Sequence, residues 1–357
     1  MDKTKQLDFS GQDIFVGLDT HLKDWRVSIM VGEKSFKTFS QDPQPKVLLN
    51  YLTKNFPNAN YYSAYEASFS GFNNHRELLN LGIKNIVVNP ADIPTTDKER
   101  KQKEDSRDSR KIAKQLSQND LSAIYVPEIE IEGDRTLVRY RKTLAKEIAR
   151  TKHRIKSHIY YFGIEIPAQF SGKSYWSKRF TSWLKEIELP TQSAKMALDG
   201  HLEMAETLRK KQYLINKEIR KLSEKKIYKE NYTLLLSVPG VGCLTAMIIL
   251  TEIGDIKRFQ NFDNLCSFIG LVPITNSSGE NDKTGGITMR RNKTLRIAIV
   301  EACWVAIRND PALMLAYQNL IKRMESQKAI IRIAKKLVSR IMYVLKNKQQ
   351  YVPAVVK

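Results

Sequence analysis

The stretch Asp13-Ile-Phe-Val-Gly-Leu-Asp19-Thr-His-Leu-Lys-Asp-Trp-Arg-Val-Ser-Ile-Met-Val31 constrains this chain most. Ile14, Val16 and Leu18 alternate with Phe15 and Gly17, and Trp25, Val27, Ile29 and Val31 alternate on the return. That pattern predicts two strands joined by a short turn. A strand apolar at nearly every position belongs inside a sheet with both faces covered. It runs straight into Asp19, and a buried carboxylate needs a partner or a metal. Asp19 could simply open a turn. Three further acids, placed where one fold would gather them, favour the metal reading.

Residues 34–40 continue as a third strand, with Phe36 and Phe39 as its apolar members. Pro43 and Pro45 lead into a helix over 46–56 that carries Val47, Leu48, Tyr51 and Leu52. Residues 60–66 form a fourth strand that ends, like the first, in a carboxylate, Glu66. A helix over 70–81 is closed by Gly82, and a fifth strand over 84–89 is stopped by Pro90. A three-strand meander followed by helix, strand, helix, strand is the order of an α/β ribonuclease-H-like (RuvC-like) fold. Its first and fourth strands are neighbours, so Asp19 and Glu66 would sit side by side in the crevice at the strand ends. Beyond a charged segment over 93–104, expected as a solvated loop, a helix opens with Asp105-Ser-Arg-Asp108. Acids at i and i+3 share a face and repel each other without a cation. The helix dipole also favours acids in a first turn, so both readings stand.

Charge sets the partner class. Lys plus Arg number 59 against 38 Asp plus Glu, a net charge of +21, which points to a polyanion and first of all to nucleic acid. No segment reaches the roughly 18 apolar residues of a membrane span, and the amino terminus carries no signal-peptide core, so a cytoplasmic protein without membrane contact is expected. Cys243, Cys266 and Cys303 are widely spaced and suit reduced core positions rather than a zinc site. A long helix over 132–161 has Leu137, Leu144, Ile148, Ile155 and Ile159 in one stripe. Cations that include Arg139, Lys146, Arg150 and Arg154 cover much of the rest. After a break over 162–190, a second long helix spans 192–226, which predicts a coiled-coil-like helical hairpin, pairing internally or with a second protomer. The excess of one sign favours polyanion contact over a merely solvated face.

Further on, Val238-Pro-Gly240-Val-Gly242 lies between an apolar helix end and an apolar helix start, the helix-hairpin-helix pattern. Amides at the start of the second helix can hold a phosphate there. A polar, Gly-rich loop over 270–296 follows, with Ser277-Ser278-Gly279 at its centre. Composition alone suits a flexible linker, but long loops inside a domain are usually functional. Lys283, Arg290, Arg291, Lys293 and Arg296 lie close behind the hydroxyls. A serine attacking a phosphodiester needs such positive groups around the developing charge.

Val16-Gly-Leu-Asp19, Tyr65-Glu66, Val88-Asn-Pro90, Asp105-x-x-Asp108, Val238-Pro-Gly-Val-Gly242, Gly270-Leu-Val-Pro273 and Ser277-Ser-Gly279 occur in that order over nearly the whole chain. Together they resemble the DEDD transposases of the insertion-sequence-110 type, relatives of the Piv DNA invertase. The resemblance implies a RuvC-like DEDD domain over 1–125 and a helical hairpin or coiled coil with an insert over 126–230. It also implies a mostly α, helix-hairpin-helix-containing transposase domain over 231–357. It further implies Asp19, Glu66, Asp105 and Asp108 as ligands of Mg²⁺ or Mn²⁺, and Ser278, rather than Ser277, as the nucleophile forming a phosphoserine link to DNA. Donor and target DNA, a structured bridge RNA that guides the enzyme, and a homodimer or homotetramer are the implied partners. Neither the acids nor the serine would suffice alone. A Piv-type invertase, or a RuvC-like nuclease using metal-activated water, is the alternative. Two positions depart from the family pattern: Ser109 follows Asp108 where alanine is common, and Pro273-Ile-Thr-Asn276 precedes the serines.

Overall fold

The alternating segments assemble into a five-stranded mixed sheet of order β3-β2-β1-β4-β5. In the computed structural model the described residues are 8–93, 105–170, 176–278 and 281–353; within them, the side chains of 105–106, 275–278 and 281–284 are not described. The chain divides into two compact units, Met1–Val126 and Pro127–Lys357. In the first, β1 (Asp13–Thr20) pairs antiparallel with β2 (Trp25–Val31) and parallel with β4 (Asn60–Glu66). β3 (Lys34–Gln41) flanks β2, and β5 (Lys84–Val88) flanks β4. This is a ribonuclease-H-like topology, with the apolar strand β1 at its centre as its sequence requires.

The two faces of β1 meet different partners. Ile14, Val16 and Leu18 are fully buried and pack with Leu48 and Leu52 of α1 (Pro45–Asn55) and Leu78 of α2 (Asn73–Asn80). Removing each such side chain from water is worth about 1.5–3 kcal/mol. On the opposite face lies α3 (Asp105–Ser117). A Cβ on Gly17 would stand 2.0 Å from the Ser109 carbonyl oxygen and 2.4 Å from the Ala113 amide nitrogen. The helix backbone therefore rests directly on the strand, and only glycine permits it. The buried Ser109 Oγ lies 2.8 Å from Ser28 Oγ, which lies 2.9 Å from Thr38 Oγ1, and Arg110 Nε donates to that same Thr38 hydroxyl at 3.1 Å. This hydroxyl chain pins the start of α3 across β2 and β3. Helix α2 begins at Asn73 rather than at the expected residue 70, because Ser70 and Gly71 form a turn in which Gly71 takes φ 56°.

The second unit is largely α-helical. α4 (Ile129–Tyr161) and α6 (Gln192–Ser223) run antiparallel. Ile155 and Ile159 meet Leu198 and Leu202 at one end, and Arg141 Nε donates to Asn216 Oδ1 at 3.1 Å toward the other. The intervening segment, expected only as a break, contains α5 (Lys178–Glu186), opened by Ser177 Oγ accepting from the Phe180 amide at 3.2 Å. Phe170, Phe180 and Leu184 fasten the insert onto the hairpin. Beyond it come α7 (Lys226–Leu236), α8 (Cys243–Ile253), α9 (Phe262–Ile269), α10 (Lys293–Asn309), α11 (Pro311–Ile321) and α12 (Ser326–Asn347). α8 is apolar on most sides and is buried at the centre, as such a helix must be. Cys266 and Cys303 are buried and Cys243 is half-buried. Burial pushes the Cys266 thiol up to about 11 and the Cys303 thiol up to about 12, so neither is a reactive thiolate near neutral pH. Among the described residues no helix is long and apolar enough to cross a membrane.

The region expected as a Gly-rich loop over 270–296 is instead a β-ribbon, β6 (Pro273–Ser278) against β7 (Asn281–Ile287). Thr275 pairs with Thr284 and Pro273 with Ile287, so β-branched residues scattered among polar ones supply a ladder that composition conceals.

The contact at Gly17 gives the first prediction. Gly17→Ala must push α3 off β1, at about 1–3 kcal/mol for an overpacked site. Urea unfolding followed by hydrogen exchange in β1 and α3 should show a lower midpoint and lost protection in both elements. Gly133→Ala, within α4 with open space around its Cβ position, should be neutral or stabilising by up to about 1 kcal/mol.

Candidate functional site

The register of the parallel strands places the acids. Leu18 on β1 is level with Tyr65 on β4, and the next residues are Asp19 and Glu66. Side chains alternate across a strand, so Asp19 shares a face with Gly17, and Glu66 shares one with Ala64. That is the face covered by α3, because Gly17 abuts Ser109 and Ala64 shares a core with Ile112. Asp108 immediately precedes Ser109 on that helix and is half-buried. The backbone of Asp105 opens the helix, and its side chain lies outside the described residues. Asp19 is 22% exposed, and its Oδ2 lies 3.1 Å from Nε2 of His21. Nothing in the strand periodicity assigned His21 a role; it comes into reach because the turn after β1 brings residue 21 back over the strand end. Among the described residues no three His, Cys, Asp or Glu side chains already form a metal-holding group. The acids the fold places nearby are oxygen donors, the type that Mg²⁺ or Mn²⁺ takes.

The serines stand at the tip of the β-ribbon in the second unit, Ser277 level with Asp282 and Ser278 level with Asn281. The base of the ribbon is built with care. Thr288 N donates to Val272 O at 2.9 Å, and Asn292 N donates to Phe268 O at 3.0 Å. Arg296 Nη1 donates at 2.8 Å both to Gly270 O and to Thr288 O, tying the two ends of the ribbon together. Burial first, and then the charge of Arg291, holds the Arg296 pKa below its ordinary value.

Beneath this base lies a buried carboxylate. Glu252, on α8, accepts from Arg139 Nε and Nη2, each at 2.7 Å, and from Asn292 Nδ2 at 2.8 Å. Asn292 also caps α10 by accepting from the Leu295 amide at 3.0 Å. Burial pushes the Glu252 carboxyl up, but the hydrogen bonds from Arg139 and Asn292, with the charges of Arg139 and Arg135, outweigh it and hold the carboxyl below its usual range. The bidentate bond to Glu252 raises the Arg139 pKa in turn. An acid in the otherwise apolar run Ala246-Met-Ile-Ile-Leu-Thr-Glu252-Ile was the sequence signal for this site, since a buried carboxylate requires partners.

The remaining expected nucleic-acid residues fall into two groups. Arg139 and Arg296 are engaged inside the second unit. Lys146, Arg150, Arg154, Arg290 and Lys293 are exposed and Arg291 is partly so; the Lys283 side chain lies outside the described residues. Gly240 takes φ +84°, and a Cβ there would stand 2.2 Å from Ala302 O, so the Pro-Gly-Val-Gly turn packs against α10. Gly242 precedes α8 with open space beside it.

Two family descriptions match this chain: a DEDD transposase family of the IS110 type over residues 16–162, and "Transposase IS116/IS110/IS902 family" over residues 232–318. The chain belongs to this family. As a transposase it is an enzyme that cleaves and transfers DNA strands. A Sinorhizobium fredii protein named as a transposase is 33% identical over 243 residues, 68% of this chain and 58% of that protein. The transposase for insertion sequence element IS1533 of Leptospira borgpetersenii is 23% identical over 254 residues, 70% of this chain and 72% of that one. The pilin gene-inverting protein of Moraxella bovis is 32% identical over 126 residues, 33% of this chain and 38% of that one.

Glu252→Gln tests the anchor of the transposase's serine ribbon. It leaves Arg139 facing a neutral amide, and breaking a buried pair from one side costs about 3–5 kcal/mol. The thermal transition of the second unit should fall accordingly. Because the folded carboxyl titrates below its ordinary value of 4.5, its contribution is present above that pH and is lost as pH falls through the folded value. The difference in stability between wild type and Glu252→Gln should therefore shrink below about pH 4.5.

Proposed function

We propose that this transposase is an RNA-guided DNA recombinase whose reaction runs through a covalent phosphoserine–DNA intermediate. The observation that carries the acidic half is the register that sets Asp19 level with Glu66 beneath the helix bearing Asp108. Asp19, Glu66, Asp105 and Asp108 would hold Mg²⁺ or Mn²⁺. The oxygen-only donor set and the α3 backbone seated on Gly17 fit such ions. When bound, the ions would neutralise phosphate charge during strand cleavage.

The ribbon serine supplies the nucleophile in this reading. Ser278 Oγ attacks phosphorus, the bond to the leaving sugar oxygen breaks, and the proton lost by the serine is made up on that oxygen through solvent, freeing a sugar hydroxyl. Rejoining is the reverse, with a sugar hydroxyl attacking the phosphoserine and releasing Ser278. The bond energy is kept within the ester, so no high-energy cofactor is required. The hydrogen-bonded ribbon base supports this role, because it ties down both ends of the ladder whose tip carries Ser277 and Ser278. Exposed Lys146, Arg150, Arg154, Arg290 and Lys293 would meet phosphates of donor DNA, target DNA and a bridge RNA, with Gly242 offering a helix-start amide in the helix-hairpin-helix pattern. Two or four copies would act together.

The 126-residue match to a pilin gene-inverting protein supports a second reading in which the same chemistry inverts a segment rather than moving one. Substrate geometry decides between them: a pair of inverted sites on one plasmid should yield inversion only if that reading holds.

The mechanism has a direct test. Ser278→Ala should bind nucleic acid as wild type does yet neither cleave nor recombine, and wild type trapped on DNA should carry an adduct at Ser278. Asp19→Ala and Glu66→Ala should stop cleavage with the fold intact by circular dichroism. Normal cleavage by both Ser277→Ala and Ser278→Ala would leave a RuvC-like nuclease that uses water. A discrete small RNA should co-purify with the protein, and binding should weaken steeply with salt as counterions are no longer released to advantage.

A further inference from the structure

Most cations of α4 have partners within the second unit. Arg139 holds Glu252, Arg141 donates to Asn216, Lys142 Nζ donates to Thr294 Oγ1 at 3.3 Å, and Lys152 lies 4.9 Å over the Trp176 ring. Toward the carboxyl end of the helix the pattern changes. A groove of 510 Å³ opens there, lined by Arg150, His153, Arg154, His158 and Tyr161 of α4 and by His201 of α6. Among the described residues no carboxylate lines it. Among the described residues Arg154 and His153 enter no hydrogen bond or ion pair, while Arg150 is bridged to Glu147 at 2.9 Å on the groove's edge. His158 Nε2 lies 2.9 Å from Ala194 O, which fixes its ring against α6. Burial, followed by the charges of His158 and Arg154, holds the His201 imidazole below its ordinary value. The groove thus presents the Arg154 charge with no carboxylate beside it among the described residues, and the His201 ring as a hydrogen-bonding partner.

Its mouth is aromatic. Tyr161 is 84% exposed and Tyr160 53% exposed at the last turn of α4. Tyr161 meets Phe162 edge-on at 5.1 Å, which limits its swing. A large, exposed, partly fixed ring beside unpaired guanidinium is the pairing that single strands use, bases stacking while phosphates run along the cations. A duplex keeps its bases stacked on each other and has no face to offer Tyr161.

We propose that this groove is a docking site for an unpaired segment of nucleic acid, with Arg154 and His201 on phosphate and Tyr161 stacked on a base. It rests on the reading of the transposase as a nucleic-acid enzyme with a basic α4, and it names the segment and strandedness that reading leaves open.

The test uses the full chain and fluorescence anisotropy with three probes of one sequence: a short single-stranded RNA, the matching single-stranded DNA, and the duplex DNA. Arg154→Ala, His201→Ala and Tyr161→Ala should each weaken single-strand binding by about fivefold to a hundredfold, as loss of one stacked base or one phosphate contact does, and His201→Ala and Tyr161→Ala should leave duplex affinity within about twofold. Tyr161→Phe should bind as wild type, because stacking needs the ring and not the hydroxyl. Loss confined to the RNA probe assigns the groove to RNA; equal loss on both single strands assigns it to either. Three results overturn the proposal. Variants that bind single strands like wild type remove the groove as the site while sparing the wider reading. Equal losses of the His201 and Tyr161 variants on the duplex remove the strandedness. A wild-type chain that binds none of the probes removes the nucleic-acid reading itself.

Discussion

The first unit depends on one contact, the seating of the α3 backbone on Gly17. A side chain at that position would hold the helix away from β1, and with it the face on which Asp19 and Glu66 emerge. Glycine costs conformational entropy in a strand, and a central strand buried on both faces can bear it because Ile14, Val16 and Leu18 lock the opposite side. The hydroxyl chain from Ser109 through Ser28 to Thr38 then sets the helix's position across the sheet. Ser109, a departure from the alanine that the family pattern leads one to expect, thus has a visible occupation: it anchors the helix one residue after Asp108.

The second unit solves a related problem by different means. A ribbon of two strands is marginal by itself, so the tip that carries Ser277 and Ser278 must borrow rigidity from below. Arg296 ties its two ends, Asn292 caps α10, and Glu252 links that cap to Arg139 on α4. Because Glu252 is buried, each bond to it is strengthened by the low local polarity, and each missing partner would be costly. Glu252 therefore joins the ribbon's base to the long helix α4, with Lys142 Nζ donating to Thr294 Oγ1 beside it.

Much of the first unit was legible because period-two strands and their terminal acids report their own positions. Ile14, Val16 and Leu18 announce a buried strand, and the strand order announces which strands touch. What was not legible is whatever rests on backbone rather than side-chain pattern. The β6–β7 ribbon has no clean alternation, since its turn-rich composition resembles a linker and its stability comes from the base beneath it. Gly240 reads as a phosphate-binding glycine from its neighbours, whereas its left-handed backbone and close approach to Ala302 emerge only once α10 is in place. The helix within the insert does carry helical spacing, with Phe180, Trp183 and Leu184 at i, i+3 and i+4, but over only nine residues it is too short to stand out from the breaks around it.

Charge is the property least decodable from a sequence, because a count of cations does not say which are already engaged. Arg139 and Arg154 stand fifteen positions apart on one helix and look alike in a helical projection. The first lies where α8 presents Glu252, so its guanidinium is satisfied in the folded chain and contributes little to an external field. The second lies where α6 presents His201 instead of an acid, and its charge faces outward undiminished. An external phosphate offered to Arg139 must compete with two short hydrogen bonds to a carboxylate; at Arg154 it would displace only water. The same residue type thus serves architecture at one end of α4 and is available for recognition at the other, and the difference is set by the neighbouring helix rather than by the helix that carries it.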